Sequence, residues 1–393
     1  MKTTPITVAW RLACWLITAT TAAASQAERM TADQMAMAEL EYAQWFNQLN
    51  EHLLQSDDSH EMALGLAAML NSSLQAVNRH TDQAANQDAS DAARQQAQQN
   101  LALQINLLNQ MIQRNDLSKA TMELLRNWCF KDAIAKACNH GALLDQQLTE
   151  DTKNLQVYWQ PLTLSLNQQN EALTERIMQL MAASQFNHAT LFISESFNDK
   201  LDQYLAANPI PDSAIDAFMD DQALLSDLQA SSAADLRTQV AAYFPASIKL
   251  SYVHLFDTPN PEPLYQLCKT QPKHFKACLN ITQILINQSN TIRHKGLGYA
   301  MLMAMHEAQG NQELLQTVQQ THNRFKEQVA CLNAASRSES LIGDFLDPKF
   351  QEINLLPIDE IKKLELLAKY MHEKHKLTDR DHRDPQTCYL EKP

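Results

Sequence analysis

Residues 291–335 read TIRHKGLGYAMLMAMHEAQGNQELLQTVQQTHNRFKEQVACLNAA, and this stretch decides the fold class. Leu315, Val318, His322, Phe325, Val329 and Leu332 recur at alternating steps of three and four, which draws one stripe along an α-helix. Gly310-Asn311 separates that run from helix-forming sequence over 291–309. The spacing therefore predicts two antiparallel helices joined by a tight turn.

The same style extends outward. Thr31-Ala-Asp-Gln34 forms a capping box before the stripe Met35, Ala38, Tyr42, Trp45, Leu49 and Leu53. Ser56–Ser59 ends that helix, and a second runs to about Asn78. A polar loop is expected over 79–92, with helix resuming near Asp91 and reaching Ile112. Asn170 caps a helix carrying Leu173, Ile177, Leu180 and Met181. Pro209 to Pro211 break the chain, and Ser213 with Asp216 starts another helix. Ile361, Leu364, Ala368 and Met371 mark the last one. Leu101, Leu103, Ile105 and Leu107 alternate as a strand would, but their long Gln/Ala context favours helix, so only VYWQPLTLSL (157–166) and SIKLSYVHLF (247–256) could be strands.

Composition agrees. Six glycines in 393 residues compare with a usual share of about 7%. Phosphate cradles and many-turned sheets need glycine for positive φ and close backbone approach, so P-loops, dinucleotide folds and β-sandwiches are disfavoured. The N-terminus has its own pattern: Lys2 and Arg11, then apolar LACWLITATTAAA, then Ser25-Gln26-Ala27. That is a secretory signal peptide over 1–27, too short in its apolar part to span a bilayer. Cys14 sits too early in the run for a lipoprotein signal. Cleavage removes Lys2 and Arg11 but no acid, so the formal charge goes from −13 to −15. Residues 28–289 carry −14 of it and 290–393 only −1. An acidic surface repels phosphate backbones, which argues against nucleic acid. No later run is long enough to span a membrane, so a soluble mature protein is expected.

The expectation is an all-α protein of antiparallel helix pairs stacked as an irregular, disulfide-stapled α-solenoid. Its regions are an N-terminal helical one (28–125), a central repeat one (126–250) and a C-terminal repeat one (251–393). Helix–turn–helix pairs such as 291–309 with 312–334 resemble tetratricopeptide-type α-solenoids, although no 34-residue period aligns. Over 120–335 the chain is also similar to secreted helical proteins of Gram-negative bacteria, which combine a signal peptide, irregular helix pairs and paired cysteines. That resemblance implies a periplasmic or secreted location and no particular activity.

Six cysteines remain after cleavage: Cys129, Cys138, Cys268, Cys278, Cys331 and Cys388. Zinc knuckles and C-x-x-C redox pairs are both lacking, so an even number in an exported chain reads as disulfides. Fifteen pairings are open; the economical one joins 129–138, 268–278 and 331–388. Nine steps along one helix span about 13.5 Å, whereas bridged Cα atoms lie within about 7 Å. A 129–138 bridge thus demands a helix break near Phe130–Asp132, with Asp132 starting a short second helix. For 268–278 the break falls at Thr270-Gln-Pro272.

Other polar groups were weighed for chemistry. His372, His375 and His382, among the acids Asp379, Asp381 and Asp384, are candidate metal ligands on or after the last helix. The competing reading is a solvated helix end. His322 lies on an apolar stripe, and His294 and His306 have no evident acidic partner. Trp45, Trp128 and Trp159 are read as core rather than as a ligand groove. Asp220-Asp221 are adjacent and diverge on a helix, and the glutamine run over 93–100 is read as a polar face. HExxH, GxSxG and SxxK do not occur, so no catalytic residue and no cofactor are expected. The functional expectation is an exported helical-repeat protein that presents a surface to a protein or peptide partner. The alternative is an enzyme on a helical scaffold, a hydrolase or lyase acting on cell-wall glycan.

Overall fold

A computed structural model describes residues 30–82, 87–190, 193–220, 233–256, 259–337, 341–377 and 384–388. The signal peptide expected over 1–27 lies outside these residues. The described chain is helical throughout: α1 (Ala32–Leu54), α2 (Ser59–Asp82), α3 (Gln87–Ile112), α4 (Lys119–Cys129), α5 (Asp132–Ala135), α6 (His140–Glu150), α7 (Trp159–Asn167), α8 (Glu171–Ala183), α9 (Glu195–Ala207), α10 (Asp212–Met219), α11 (Ala233–Val253), α12 (Glu262–Thr270), α13 (Phe275–Gln288), α14 (Ile292–Ala308), α15 (Gln312–Ala335), α16 (Leu341–Leu346), α17 (Pro348–Leu355) and α18 (Glu360–Leu377). Short 3-10 turns cover Leu155–Tyr158, Pro272–His274 and Pro385–Cys388. Among the described residues there is no strand, only two isolated parallel bridges, Asn154 with Phe186 and Asn187 with Ser289. No described helix is long and apolar enough to cross a membrane.

The chain folds into two compact units, each built from three separate segments: residues 1–108, 192–256 and 338–355 in the first, and 109–191, 257–337 and 356–393 in the second. In the first, α1 and α2 cross closely at Gly65. A Cβ there would stand 2.8 Å from Leu53 Cβ and 2.9 Å from the Asn50 carbonyl oxygen. The buried Asn50 in turn accepts a 2.6 Å hydrogen bond from the Tyr252 hydroxyl on α11. In the second unit the same device recurs at Gly298 of α14, whose missing side chain admits Leu285 and Ile286 of α13. The main core there joins Leu155, Trp159, Ile177, Met181, Leu264, Ile281, Leu285 and Met301.

Local chemistry explains most helix ends. Thr31 and Gln34 form both hydrogen bonds of the capping box, Asn170 accepts from the Leu173 amide, and Gly310 takes a left-handed φ of 69° in the turn before α15. Ser213 does not cap α10. Its hydroxyl donates to Glu41 instead, Asp216 pairs with Arg237, and Pro211 stands at the helix start. Three other expectations need correcting. The segment 157–166 is the end of a 3-10 turn followed by α7, and Pro161 is tolerated because it falls in the first helical turn. The segment 247–256 is the end of α11 and the turn after it. Both are buried on more than one side, which erases the helical period that exposed faces supply. The polar stretch 79–92 is helical at both ends, through Asp82 and again from Gln87, and residues 83–86 lie outside the described ones.

Three disulfides fasten helix ends. Cys129 and Cys138 bring their Cα atoms to 5.5 Å. α4 stops at Cys129, Phe130 and Lys131 turn the chain, and α5 begins at Asp132. Cys268 and Cys278 lie 5.7 Å apart across the Pro272 turn, inside the main core. Cys331 and Cys388 lie 5.4 Å apart and hold the turn Pro385–Cys388 against α15, beside Leu332, Ala335 and Ala368.

Loop-closure entropy ranks the three. The separations of 9, 10 and 57 residues correspond to about 2.6, 2.7 and 4 kcal/mol. Paired Cys→Ala replacement should therefore lower the urea midpoint most for Cys331/Cys388. Equal losses for all three pairs would show that native-state packing, not chain entropy, sets their contribution.

Candidate functional site

α4 is buried along nearly its whole length, from Thr121 to Cys129. A helix so enclosed is normally apolar all round, yet Glu123, Arg126 and Asn127 share one of its faces at steps of three and four. Gln160 on α7 donates to Asn127 Oδ1 at 3.5 Å. Lys119 reaches Asp151, at the end of α6, at 3.1 Å.

The other wall is a non-helical strap, residues 184–190. Buried backbone outside a helix needs partners for every N–H and C=O, and here the side chains of Asn154 and Asn290 supply four of them. Asn154 pairs with both backbone groups of His188, its Nδ2 donating to the carbonyl and its Oδ1 accepting from the amide, each at 3.0 Å. Asn290 does the same for Ala189, at 2.7 and 2.9 Å. Asn187 is wholly buried. Trp159 Nε1 donates to its Oδ1 at 3.3 Å, while its Nδ2 donates to Ser289 Oγ at 3.1 Å and meets His294 Nδ1 at 2.9 Å. An indole N–H only donates, so the asparagine oxygen must face Trp159 and its amide must face His294. His294 Nδ1 is then an acceptor and the imidazole is neutral. Burial, aided by the Arg293 charge, pushes this histidine down to about 4.

At its end the strap meets α4. The Thr190 amide lies 3.2 and 3.0 Å from the two oxygens of Glu123, and its hydroxyl donates to Oε2 at 2.6 Å. Burial pushes the Glu123 carboxyl upward, opposed by Arg126 and by the Thr190 hydrogen bonds. Burial also lowers Arg126, to about 10, against the pull of Glu123 and Asp151, so it stays charged at neutral pH. The Arg126 side chain has 0% exposure. Its Nε, Nη1 and Nη2 have no hydrogen-bond partner among the described residues.

A second feature is on the surface. Residues 95–113, QQAQQNLALQINLLNQMIQ, contain no charged side chain, although charged residues make up 20% of the chain. Ala97, Leu101, Ile105 and Leu108 are buried, while Gln96, Asn100, Leu103, Asn106 and Leu107 face outward. Leu103 is 64% exposed and Leu107 39%. Gln96 and Asn100 are joined by a 3.0 Å hydrogen bond one turn before them.

The residues singled out from sequence are dispersed. The six cysteines are bridged. His372 is half-buried on α18, the His375 side chain is not among those described, and His382 lies outside the described residues. Among the described residues no group of three or more His, Cys, Asp or Glu could hold a metal ion. Trp45, Trp128 and Trp159 are buried, and so is His306. His322 is half-buried and stacks on Tyr299, centroids 5.3 Å apart. Asp220 ends α10 and Asp221 lies outside the described residues. Sequence reading missed Glu123 and Arg126, whose signal is a pair of opposite charges among Met122, Leu124, Leu125 and Trp128. It also missed Asn154, Asn187 and Asn290, whose signal is an asparagine at successive helix junctions.

The neutral His294 gives a signed prediction. A histidine whose folded value is depressed contributes stability above its ordinary value near 6.5 and loses it as pH falls toward 4, by about 3 kcal/mol at most. Between pH 7 and 4.5 the urea midpoint of the wild type should fall further than that of His294→Gln; parallel falls would remove His294 as the cause. No protein family, curated protein or solved structure matches the chain.

Proposed function

We propose that the protein acts after export, in an oxidising compartment such as the periplasm, as a helical-repeat scaffold that binds a protein or peptide partner. Its contact surface is the charge-free outer face of α3. The observation that carries this reading is the 19-residue run 95–113 without a charge, with Leu103 and Leu107 turned outward one helical turn apart. Protein interfaces are depleted of charge at their centre, and adjacent apolar side chains on an exposed helix fit an amphipathic helix laid alongside them. The amides of Gln96, Asn100 and Asn106 flank the leucines and suit neutral hydrogen bonding at the rim. A formal charge near −15 steers two copies apart, which favours a different protein as the occupant. Three disulfides support the oxidising location.

Photo-crosslinking from position 103 or 107 in the exporting cell tests this. The expected adduct contains a different protein. A synthetic helix from the crosslinked segment should then bind the wild type and lose at least about tenfold affinity for Leu103→Asp/Leu107→Asp, which corresponds to about 1.4 kcal/mol. Adducts only with a second copy of this chain, or equal peptide binding by the double variant, would overturn the reading.

A further inference from the structure

The three disulfides differ in how far they are covered. Cys129, Cys138, Cys268, Cys278 and Cys388 are all buried, whereas Cys331 on α15 is only partly so. Thiol–disulfide exchange begins when a thiolate reaches one sulfur of the bridge, so access decides which bridge reacts. A reductant meets a partly open cysteine at the Cys331–Cys388 bridge and two enclosed ones at each of the others.

The bridges differ also in what else holds the parts they join. Cys268 and Cys278 lie inside the main core of the second unit, and Cys129 ends a helix buried from Thr121 onward. Opening either of those bridges leaves packed helices around it. The turn at 384–388 has less to hold it. Its hydrogen bonds among the described residues are local: the Gln386 amide donates to Asp384 Oδ1 at 2.8 Å, and the Thr387 amide and hydroxyl donate to the Asp384 carbonyl at 3.1 and 2.7 Å. Of its side chains only Pro385 and Cys388 are buried. Cys388 packs there with the fully buried Leu332, Ala335 and Ala368, beside the partly buried Ile361 and Leu364. The turn is a clasp on the apolar junction of α15 and α18, and the bridge ties it to a residue 57 positions earlier.

We propose that this is a redox-released clasp: a dithiol reductant opens Cys331–Cys388 ahead of the other two bridges, frees residues 384–388 from α15, and uncovers the apolar junction while the helices stay folded. One thiolate of the reductant attacks Cys331 Sγ, forms a mixed disulfide there and expels Cys388 as a thiolate. The second thiolate of the reductant attacks its own sulfur in that mixed disulfide and expels Cys331. Two electrons have then passed to the bridge, the reductant leaves as a disulfide, and its two thiol protons go to the two cysteine thiolates. A disulfide oxidant reverses both steps and recloses the clasp. The bridges at 129–138 and 268–278 remain to fasten the rest of the unit. The clasp shares no residue with α3, so failure of the surface reading leaves it standing.

Dithiothreitol is the probe, titrated under native conditions into the oxidised mature chain, with free thiols trapped by N-ethylmaleimide and located by mass spectrometry. Cys331 and Cys388 should be labelled first, at least about tenfold faster than the other four cysteines. At that stage the helical circular dichroism should be unchanged, and an apolar dye that ignores the oxidised chain should bind. Cys331→Ser leaves Cys388 as a free thiol. It should react with N-ethylmaleimide without reductant as fast as a thiol in an unfolded peptide. If that variant does not fold, the partly reduced wild type still decides. Labelling of all six cysteines together, or of a buried pair first, overturns the proposal, as does loss of helical signal in step with the labelling of Cys331. So does a Cys331→Ser chain that folds and keeps Cys388 unreactive, since packing alone would then hold the turn closed.

Discussion

The wholly buried amide of Asn187 settles three partners where water cannot help: the Trp159 indole, the Ser289 hydroxyl and the His294 ring. Residues 184–190 of the second unit lack helical hydrogen bonds, and within them Ser184, Asn187 and Ala189 are buried while Gln185 and His188 are exposed. Unpaired peptide groups at such depth cost about 1–3 kcal/mol each. The neighbours Asn154 and Asn290 each mimic a strand edge, offering one donor and one acceptor to a single residue of the strap. Backbone completes the join, with the Leu155 amide donating to Phe186 and the Asn187 amide to Gln288. Two isolated bridges are thus the trace of sheet-like pairing inside an otherwise helical unit.

From that join the chemistry of α4 follows. The strap delivers Thr190 to Glu123 with three close contacts, and the carboxylate that could have met Arg126 is thereby occupied. Arg126 stays charged in the interior with its whole fork available. A buried ion left in that way is a poor choice for stability alone, since apolar replacements of buried ion clusters are often neutral or stabilising.

The sequence carried the helices and their fastening legibly. The three-four stripe of Leu315 to Leu332 lies on α15, the Thr31–Gln34 box caps α1, and the distance argument for Cys129 and Cys138 located the break at Phe130–Lys131. Where burial surrounds an element, the signal disappears. The 3-10 turn at 155–158, α7 and the end of α11 present apolar residues on several sides, so their alternation mimics strands although the backbone is helical. The strap was illegible for a different reason. Gln185 to Thr190 contain little apolar pattern, and side chains 34 and 101 positions away fix them, Asn154 at His188 and Asn290 at Ala189, which no local period encodes. Discontinuous assembly of each unit from three segments has the same origin.

Amide hydrogen exchange across the strap tests this account most directly. If the Asn154 and Asn290 side chains, the backbone joins and Glu123 together hold the strap, the amides of Leu155, Asn187, Ala189 and Thr190 open only with the surrounding core. Their exchange should then match that of Ile281 and Leu285 on α13. Exchange of those four amides at the rate of an exposed turn, with α13 still protected, would contradict it.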